Sequence, residues 1–319
     1  MILQPTDSSI QLAAKALEEG LLIGLPTETV YGIAANAFNE SAINSIYSLK
    51  RRPKNNPLIV HLASIDMAKN LALKWPAEYS YLAQAFWPGP LTLIAPKSDQ
   101  VPQSVTGENP TVALRMPNHQ VALKLLKILD FPLAAPSANR FMGLSPTSAS
   151  DIEEDISAGL ACILDGGPCE IGIESTVVKL ENNQIVILRP GRISSADIQS
   201  VLPNISVREA HATIDSHESP GQYPRHYAPQ ATLILVNKIA EEAIGLTFQP
   251  TSNPGQIKMP NEPHAYAQAL YHALKSLDRP EIENIEVECP PDDSSWDAIW
   301  DRLKKASTQD GSIEKRSTS

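Results

Sequence analysis

The stretch LEEGLLIGLPTETVYG, residues 17–32, decides how this chain folds. Gly20 is a natural stop for a helix capped by Ser8 or Ser9, with Ile10, Ala13, Ala14 and Leu17 on one apolar face. The apolar run 21–25 then predicts a buried strand that ends at Pro26. Beyond it, two threonines, a glutamate and a tyrosine sit where a strand ends, which is where open α/β sheets collect their ligands. A strand followed by an ordinary polar turn fits the same residues.

Working outward, helical and strand signals keep mixing. Ile43, Ile46 and Tyr47 predict a helix over 40–50, and further helices are expected over 65–73, over 77–86, and where Val121, Leu125 and Leu129 face inward. Strands are expected at 58–62, 91–95, 112–116, 132–135, 161–164, 176–179 and 185–188. This mixture predicts an α/β fold, a twisted mixed sheet with helical layers, over residues 1–202. A chain of 319 residues exceeds what one core usually serves. Residues 203–230 carry Pro203, Pro220, Gly221, Pro224 and Pro229 with few aliphatics, the composition of a linker. Its late tyrosines and histidines are more than a passive spacer needs. A strand at 231–236, a helix at 266–277, a strand at 285–288 and a helix at 296–305 predict a smaller C-terminal α/β domain, 231–307. The polar tail 308–319 is expected to be disordered.

The net charge is −10, with 42% apolar and 19% charged residues, an ordinary globular composition. That charge argues against a surface given over wholly to phosphate binding and leaves room for a local basic cleft. Cys162, Cys169 and Cys289 form no CxxC pair, so neither a disulfide framework nor a zinc site is expected. The N-terminus lacks a signal-peptide pattern and no run reaches about 18 apolar residues, so a cytoplasmic protein is expected, with no membrane partner.

Five segments could carry chemistry. KRRPKNNPLIVH, residues 50–61, places basic residues at a helix end, which the dipole alone favours. Arg52 and Asn56 on a proline-stiffened loop also suit a polyphosphate, because a guanidinium fork matches phosphate oxygens. His61 at a strand end reads as structural or catalytic. AAPSANRFMGLSPT, 134–147, supplies Ser137, Asn139, Ser145 and Thr147, either a phosphate-binding loop or a plain connection. DGGPCEIGIEST, 165–176, offers paired glycines and then Glu174, Ser175 and Thr176. VALRMP and LRPG put Arg115 and Arg189 at strand ends, where burial demands an anionic partner. There is no P-loop, GxGxxG, HExxH or GxSxG motif. Arginines, hydroxyls and backbone remain, an inventory for positioning and electrostatic stabilisation rather than covalent catalysis.

Taken in order, PTETVYG, K-x-R at Lys50 and Arg52, NPLIVH, WPGPLT, VALRMP, the S-x-N of APSAN, DGG, ESTVV and LRPG resemble the YrdC-like family. SPGQYPRHYAP in the linker and VECPPDDSSWDAIWDRLKKA at the end resemble its two-domain branch of threonylcarbamoyl-AMP synthases. Nearly the whole chain is covered. The resemblance implies that threonine captures carbon dioxide from bicarbonate, and that the carbamate oxygen attacks the α-phosphorus of ATP to release pyrophosphate. Arginines and Mg²⁺ brought with ATP would neutralise the phosphates.

Carried over residue by residue, the resemblance implies an L-threonine site at Thr29, His61, Arg115, the backbone of Ala135, and Ser175, with Arg115 pairing the carboxylate. It implies an ATP site at Lys50, Arg52, Asn56, Thr111, Ser137, Asn139, Ser145 and Arg189. Lys50, Arg52 and Arg115 are the expected catalytic cations, and no metal ligand is expected among the side chains. The linker resembles a lid, with Tyr223, His226 and Tyr227 reaching the nucleotide. The product would go to a separate tRNA threonylcarbamoyl transferase complex, with a weak contact to tRNA as a further expectation. Ser294 and Ser295 depart from the glycines of some relatives. Two rival readings are a double-stranded RNA-binding module without catalysis, and a carbamoyl-adenylate transferase like the YrdC-like domains of hydrogenase-maturation proteins.

Overall fold

The computed structural model describes residues 1–210, 221 and 223–307. The expected tail, 308–319, and linker positions 211–220 and 222 lie outside the described residues. The first strands are β1 (Ile2–Leu3), β2 (Ile23–Leu25), β3 (Gly32–Asn36), β4 (Ile59–His61), β5 (Leu91–Pro96) and β6 (Thr111–Arg115). Next come β7 (Leu133–Ala134), β8 (Cys162–Leu164), β9 (Thr176–Glu181), β10 (Gln184–Arg189) and β11 (Ser206–Glu209). They form one sheet in the order β1-β8-β2-β3-β7-β4-β6-β5-β9-β10-β11. Parallel pairs such as β4 with β6 alternate with antiparallel ones such as β5 with β6, so the sheet is mixed as expected.

Local chemistry sets the helices. In Asp7–Glu18, Ile10, Ala13, Ala14 and Leu17 are buried as expected, but the cap is Thr6 rather than Ser8 or Ser9. Thr6 has extended backbone, so its Oγ1 accepts the Ser9 N–H at 3.2 Å, and both serines lie within the first turn. Glu40–Lys50 is capped by Asn39 and closes on Arg51 in the left-handed conformation. That reversal sends Lys50 and Arg52 inward and leaves Arg51 in solvent.

The sheet has helices on both faces. Glu40–Lys50, Ile65–Leu71 and Ala77–Phe86 cover one, over a core that includes Ile33, Val60, Leu93 and Leu114. Asp7–Glu18 and Gln120–Ile128 cover part of the other, over Ile23, Leu25 and Leu133. Among the described residues the rest of that second face has no such helical cover, and it carries a small cluster of Ile59, Ile94, Ala113, Val177, Val186 and Leu188.

The C-terminal unit is a parallel sheet of β12 (Thr232–Val236), β13 (Gly245–Thr247), β14 (Gln256–Lys258) and β15 (Asn284–Glu288), in the order β12-β15-β13-β14. It packs helices Pro263–Leu277 and Asp297–Ala306 on a core that continues into Val30, Leu144 and Ile173 of the first domain. Two differences from expectation stand out. The buried strand β3, GIAAN, was not expected: apart from Ile33 its residues have little β-propensity of their own. Ser206–Glu209, inside the stretch read as linker, is instead an edge strand parallel to β10. Ser294 and Ser295 form a 3-10 turn capped by Asp293, and neither has positive φ, so the backbone there does not require glycine.

Candidate active site

The site lies on the sparsely covered half of the second face. Along β4 and β6, alternate residues point to one side, so Ile59 and His61 share a face with Thr111, Ala113 and Arg115. His61 and Arg115 lie at the carboxyl ends of these strands, with Ser175 at the entry to β9.

Arg115 is buried, and its Nη2 donates to Thr29 Oγ1 at 2.9 Å. The same nitrogen lies 2.8 Å from Glu28 Oε1 without hydrogen-bond alignment, so that contact is Coulombic. His61 is also buried, and its Nδ1 has no hydrogen-bond partner among the described residues. Burial, with Arg115 acting in the same direction, pushes its pKa from 6.5 down to about 3, so the imidazole is neutral at pH 7. A desolvated, unpartnered ring nitrogen is costly unless a ligand meets it. Ala135 spends its N–H on the Ile59 carbonyl (3.0 Å), which leaves its carbonyl as the backbone group to meet a ligand. Ser175 Oγ is 2.8 Å from Thr92 Oγ1 and accepts from Arg189 Nη2 at 3.1 Å. These five expected residues therefore form one neighbourhood.

The expected ATP residues divide. Arg52 and Arg189 line the same cavity as His61 and Arg115, with Ser137 on its wall. Asn56 braces Arg52 from behind, accepting Nη2 on Oδ1 (2.6 Å) and Nε on its carbonyl (3.1 Å). Burial lowers the Arg52 pKa only to about 10, so it stays cationic. Lys50 does not line the cavity. Its Nζ donates to the carbonyls of Ser137 and Asn139, each at 2.5 Å, and so ties down the S-x-N loop. Burial, with Arg52 beside it, pushes its pKa well below the ordinary lysine value. Asn139 and Ser145 are buried behind the wall: Asn139 Oδ1 accepts from Ser137 Oγ (2.5 Å) and Ser145 Oγ donates to Glu174 Oε1 (2.6 Å). Thr111 shares the face of Arg115 but opens the same strand, four residues or about 13 Å away, outside the cavity lining.

From the linker, His226 and Tyr227 line the cavity. Tyr223 and His226 stand edge-on to Phe141, which packs within 5.8 Å of the Arg52 guanidinium. The His226 N–H donates to the Lys305 carbonyl at 3.0 Å, so the last helix holds this segment in place. The cavity is about 40 Å³, room for roughly three waters.

Three charged residues outside the expected site matter to it. Glu28 sits inside PTETVYG and neutralises Arg115. Glu174 sits beside Ser175 and is met by Arg302 from the last helix at 2.9 Å. The signal for Arg302 is readable in hindsight. It shares the inward face of its helix with Ile299, Leu303 and Ala306, where an unpaired cation would be costly.

A mixed sheet that gathers buried arginines, hydroxyls and a neutral histidine on one face, beside a second domain, defines a YrdC-like nucleotidyltransferase. The family model described as "Telomere recombination" (Sua5_yciO_yrdC) matches residues 15–191, and "Threonylcarbamoyl-AMP synthase, C-terminal domain" matches 193–308. The threonylcarbamoyl-AMP synthase of Pyrococcus abyssi is 39% identical over 318 residues, covering 93% of this chain and 94% of that one. That of Bacillus subtilis is 38% identical over 328 residues, covering 95% and 94%. The solved structure of P. abyssi Sua5 complexed with L-threonine matches with a TM-score of 0.90 at 37% identity, over 96% of this chain and 97% of that chain. A full-length HypF structure shares the fold alone, at 15% identity and a TM-score of 0.53. The chain belongs to the two-domain Sua5/YrdC-like family of threonylcarbamoyl-AMP synthases and is an enzyme of that activity.

Proposed function

We propose that the chain joins L-threonine, bicarbonate-derived carbon dioxide and ATP into threonylcarbamoyl-AMP and pyrophosphate within this cavity. The reading is carried by one observation: His61 and Arg115 share a cavity with Arg52 and Arg189. Arg115 takes the threonine carboxylate, and the neutral His61 with Thr29, Ser175 and the Ala135 carbonyl orients the rest of the amino acid. The carbamate formed on the threonine nitrogen is the nucleophile and attacks the α-phosphorus. Substrate supplies this group, in keeping with cysteines whose thiols are all pushed up by burial.

Arg52 and Arg189 stabilise the charge that develops on the phosphates, Asn56 braces Arg52, and Lys50 holds the S-x-N loop that carries Ser137. Thr111 extends the nucleotide side of the same face. Magnesium enters as the metal–nucleotide complex, held through phosphate oxygens and water. Among the described residues no group of three or more His, Cys, Asp or Glu side chains could hold a metal ion. Tyr223, His226 and Tyr227 act as a lid that opens for a nucleotide and closes to exclude water from the carbamate and the mixed anhydride. In the cytoplasm the product passes to a separate tRNA threonylcarbamoyl transferase complex, this chain making at most a weak contact with tRNA.

The test is pyrophosphate release from MgATP with threonine and bicarbonate each left out in turn. Release that requires both is expected. Release indifferent to either would reduce the activity to nucleotide hydrolysis.

A further inference from the structure

One buried ion pair crosses from the C-terminal domain into the nucleotide half of the site. Glu174 is 6% exposed and Arg302 is 1% exposed. Glu174 Oε2 accepts from Arg302 Nε at 2.9 Å and from the Tyr271 hydroxyl at 3.1 Å, while Oε1 accepts from Ser145 Oγ at 2.6 Å. Arg302 also donates through Nη1 to the Pro190 carbonyl at 2.8 Å, one residue beyond Arg189. Its guanidinium lies 4.9 Å from the ring centre of Tyr227 in the linker. Arg302 thus touches the serine loop, the segment that carries Arg189, and the linker tyrosine that lines the cavity, the first two through Glu174 and Pro190.

A carboxylate here is an electrostatic problem. Glu174 is buried among Arg189, Ser145 and Ser175, where an anion would compete with phosphates for the same cations. Burial raises its pKa, but Arg302 first, then Arg189 and the Ser145 hydroxyl, overcome this and hold it at about 2, so it is ionised. Its nearest cation, Arg302, comes from the other domain. An uncompensated charge in such a place is strongly unfavourable, whereas removing both partners together is often neutral.

We propose that Arg302 is a positioning residue for the nucleotide: by neutralising Glu174 and fixing it against Ser145, it keeps that carboxylate from drawing Arg189 toward itself and repelling phosphate. The C-terminal domain then completes the ATP site rather than only covering it. This rests on the reading of the cavity as an ATP site.

The test is a charge cycle in the full-length protein: Arg302→Met, Arg302→Lys, Glu174→Gln, and Glu174→Gln with Arg302→Met. The readouts are the Kd of MgATP by calorimetry, the KM values of ATP and threonine, and the melting temperature. Arg302→Met should weaken ATP binding by about tenfold or more, with the threonine KM within about twofold and Arg302→Lys intermediate. Adding Glu174→Gln should recover most of the lost affinity, because no carboxylate is then stranded among the phosphate-binding cations, and Asp301, which Arg302 also meets at 2.8 Å, keeps Lys305 at 2.6 Å. A lower melting temperature with unchanged ATP affinity would make the pair mere domain glue and overturn the proposal. So would a double variant as weak as Arg302→Met alone. If Arg302→Met does not fold, the double variant still decides: near-native ATP affinity is expected, and a tenfold loss overturns the role. Wild-type protein that binds ATP yet releases no pyrophosphate with threonine and bicarbonate would count against the activity, while the binding cycle still reports on Arg302.

Discussion

His61 and Arg115 are register partners on the neighbouring parallel strands β4 and β6, so their side chains leave the sheet side by side on one face. The pairing puts a fixed positive charge next to an imidazole that burial already disfavours as a cation. In the proposed reading, Arg115 takes the threonine carboxylate while His61 stays neutral beside it. Glu28 lies behind Arg115 and keeps the guanidinium from being a lone buried charge.

Arg115→Ala should therefore do two separable things. Loss of a charge-assisted bond to the threonine carboxylate is worth about 1.5–3 kcal/mol, roughly 10- to 150-fold in threonine KM, with the ATP KM nearly unchanged. The stranded Glu28 should lower stability by about 3–5 kcal/mol, and Glu28→Gln in the same chain should restore stability but not threonine binding. Steady-state kinetics with denaturant melts checks both parts. Equal rises in the two KM values would remove Arg115 from its assigned role.

Arg52→Ala should weaken ATP binding by about 1.5–3 kcal/mol. Asn56→Ala should cost less, about 0.5–1.5 kcal/mol, because it frees the guanidinium fork without removing it. Calorimetric titration with MgATP ranks the two. An Asn56 variant as weak as the Arg52 variant would mean that Asn56 meets the nucleotide itself.

Acidification should destabilise the protein through its buried histidines. Burial holds both His61 and His226 at about 3, while an ordinary histidine titrates near 6.5. Between those values the unfolded chain binds more protons than the folded one, so stability rises with pH and is lost as pH falls through this window. Glu174 and Asp151, whose pKa values are also lowered, add to the loss nearer pH 4.5 and below. Melting temperatures between about pH 5 and 6.5 should fall more steeply for the wild type than for a His61→Gln, His226→Gln double variant. Identical slopes would show that neither histidine is held neutral.

Gly191→Ala should damage the site from behind. A Cβ there would come within 2.5 Å of the Thr176 nitrogen and 2.8 Å of the Glu174 carbonyl oxygen, both backbone atoms with no room to yield. A loss of about 1–3 kcal/mol in stability is expected, with raised KM for both substrates, because Ser175 lies between the two contacts. Native kinetics in a chain that melts at the wild-type temperature would contradict this packing.

Tyr227→Ala should open the cavity to water. The ring is buried against His226, Tyr271 and Arg302. The expected outcome is less threonylcarbamoyl-AMP recovered per pyrophosphate released, measured by chromatography of the products. A ratio equal to the wild type's would argue against the lid.

Most regular elements were legible because their causes are local. The helices expected at 40–50 and 77–86 appear as Glu40–Lys50 and Ala77–Phe86, and the apolar run at 185–188 lies within Gln184–Arg189. Two of the strands that were missed have a reason in their sequence. β3 is buried mid-sheet, but Ile33 is its one β-former among Gly32, Ala34, Ala35 and Asn36, so its sequence carries little strand signal. β11 follows Pro203 and Asn204 and alternates too briefly to announce an edge strand. Residue identity grouped Arg52, His61, Arg115, Ser175 and Arg189 as one expected site, but it could not say that Lys50 would turn to the carbonyls of Ser137 and Asn139.

The sequence by itself determined the α/β layering, the two-domain plan and the family, since periodicity, caps and ordered motifs are properties of short segments. Only the tertiary structure decided which charges cancel and which face the cavity. Glu28 and Arg115, or Glu174 and Arg302 at 128 positions apart, are neighbours only after the sheet and the second domain have closed. A buried charge is governed by its nearest countercharge and by exclusion of water, and both are set by packing rather than by spacing along the chain.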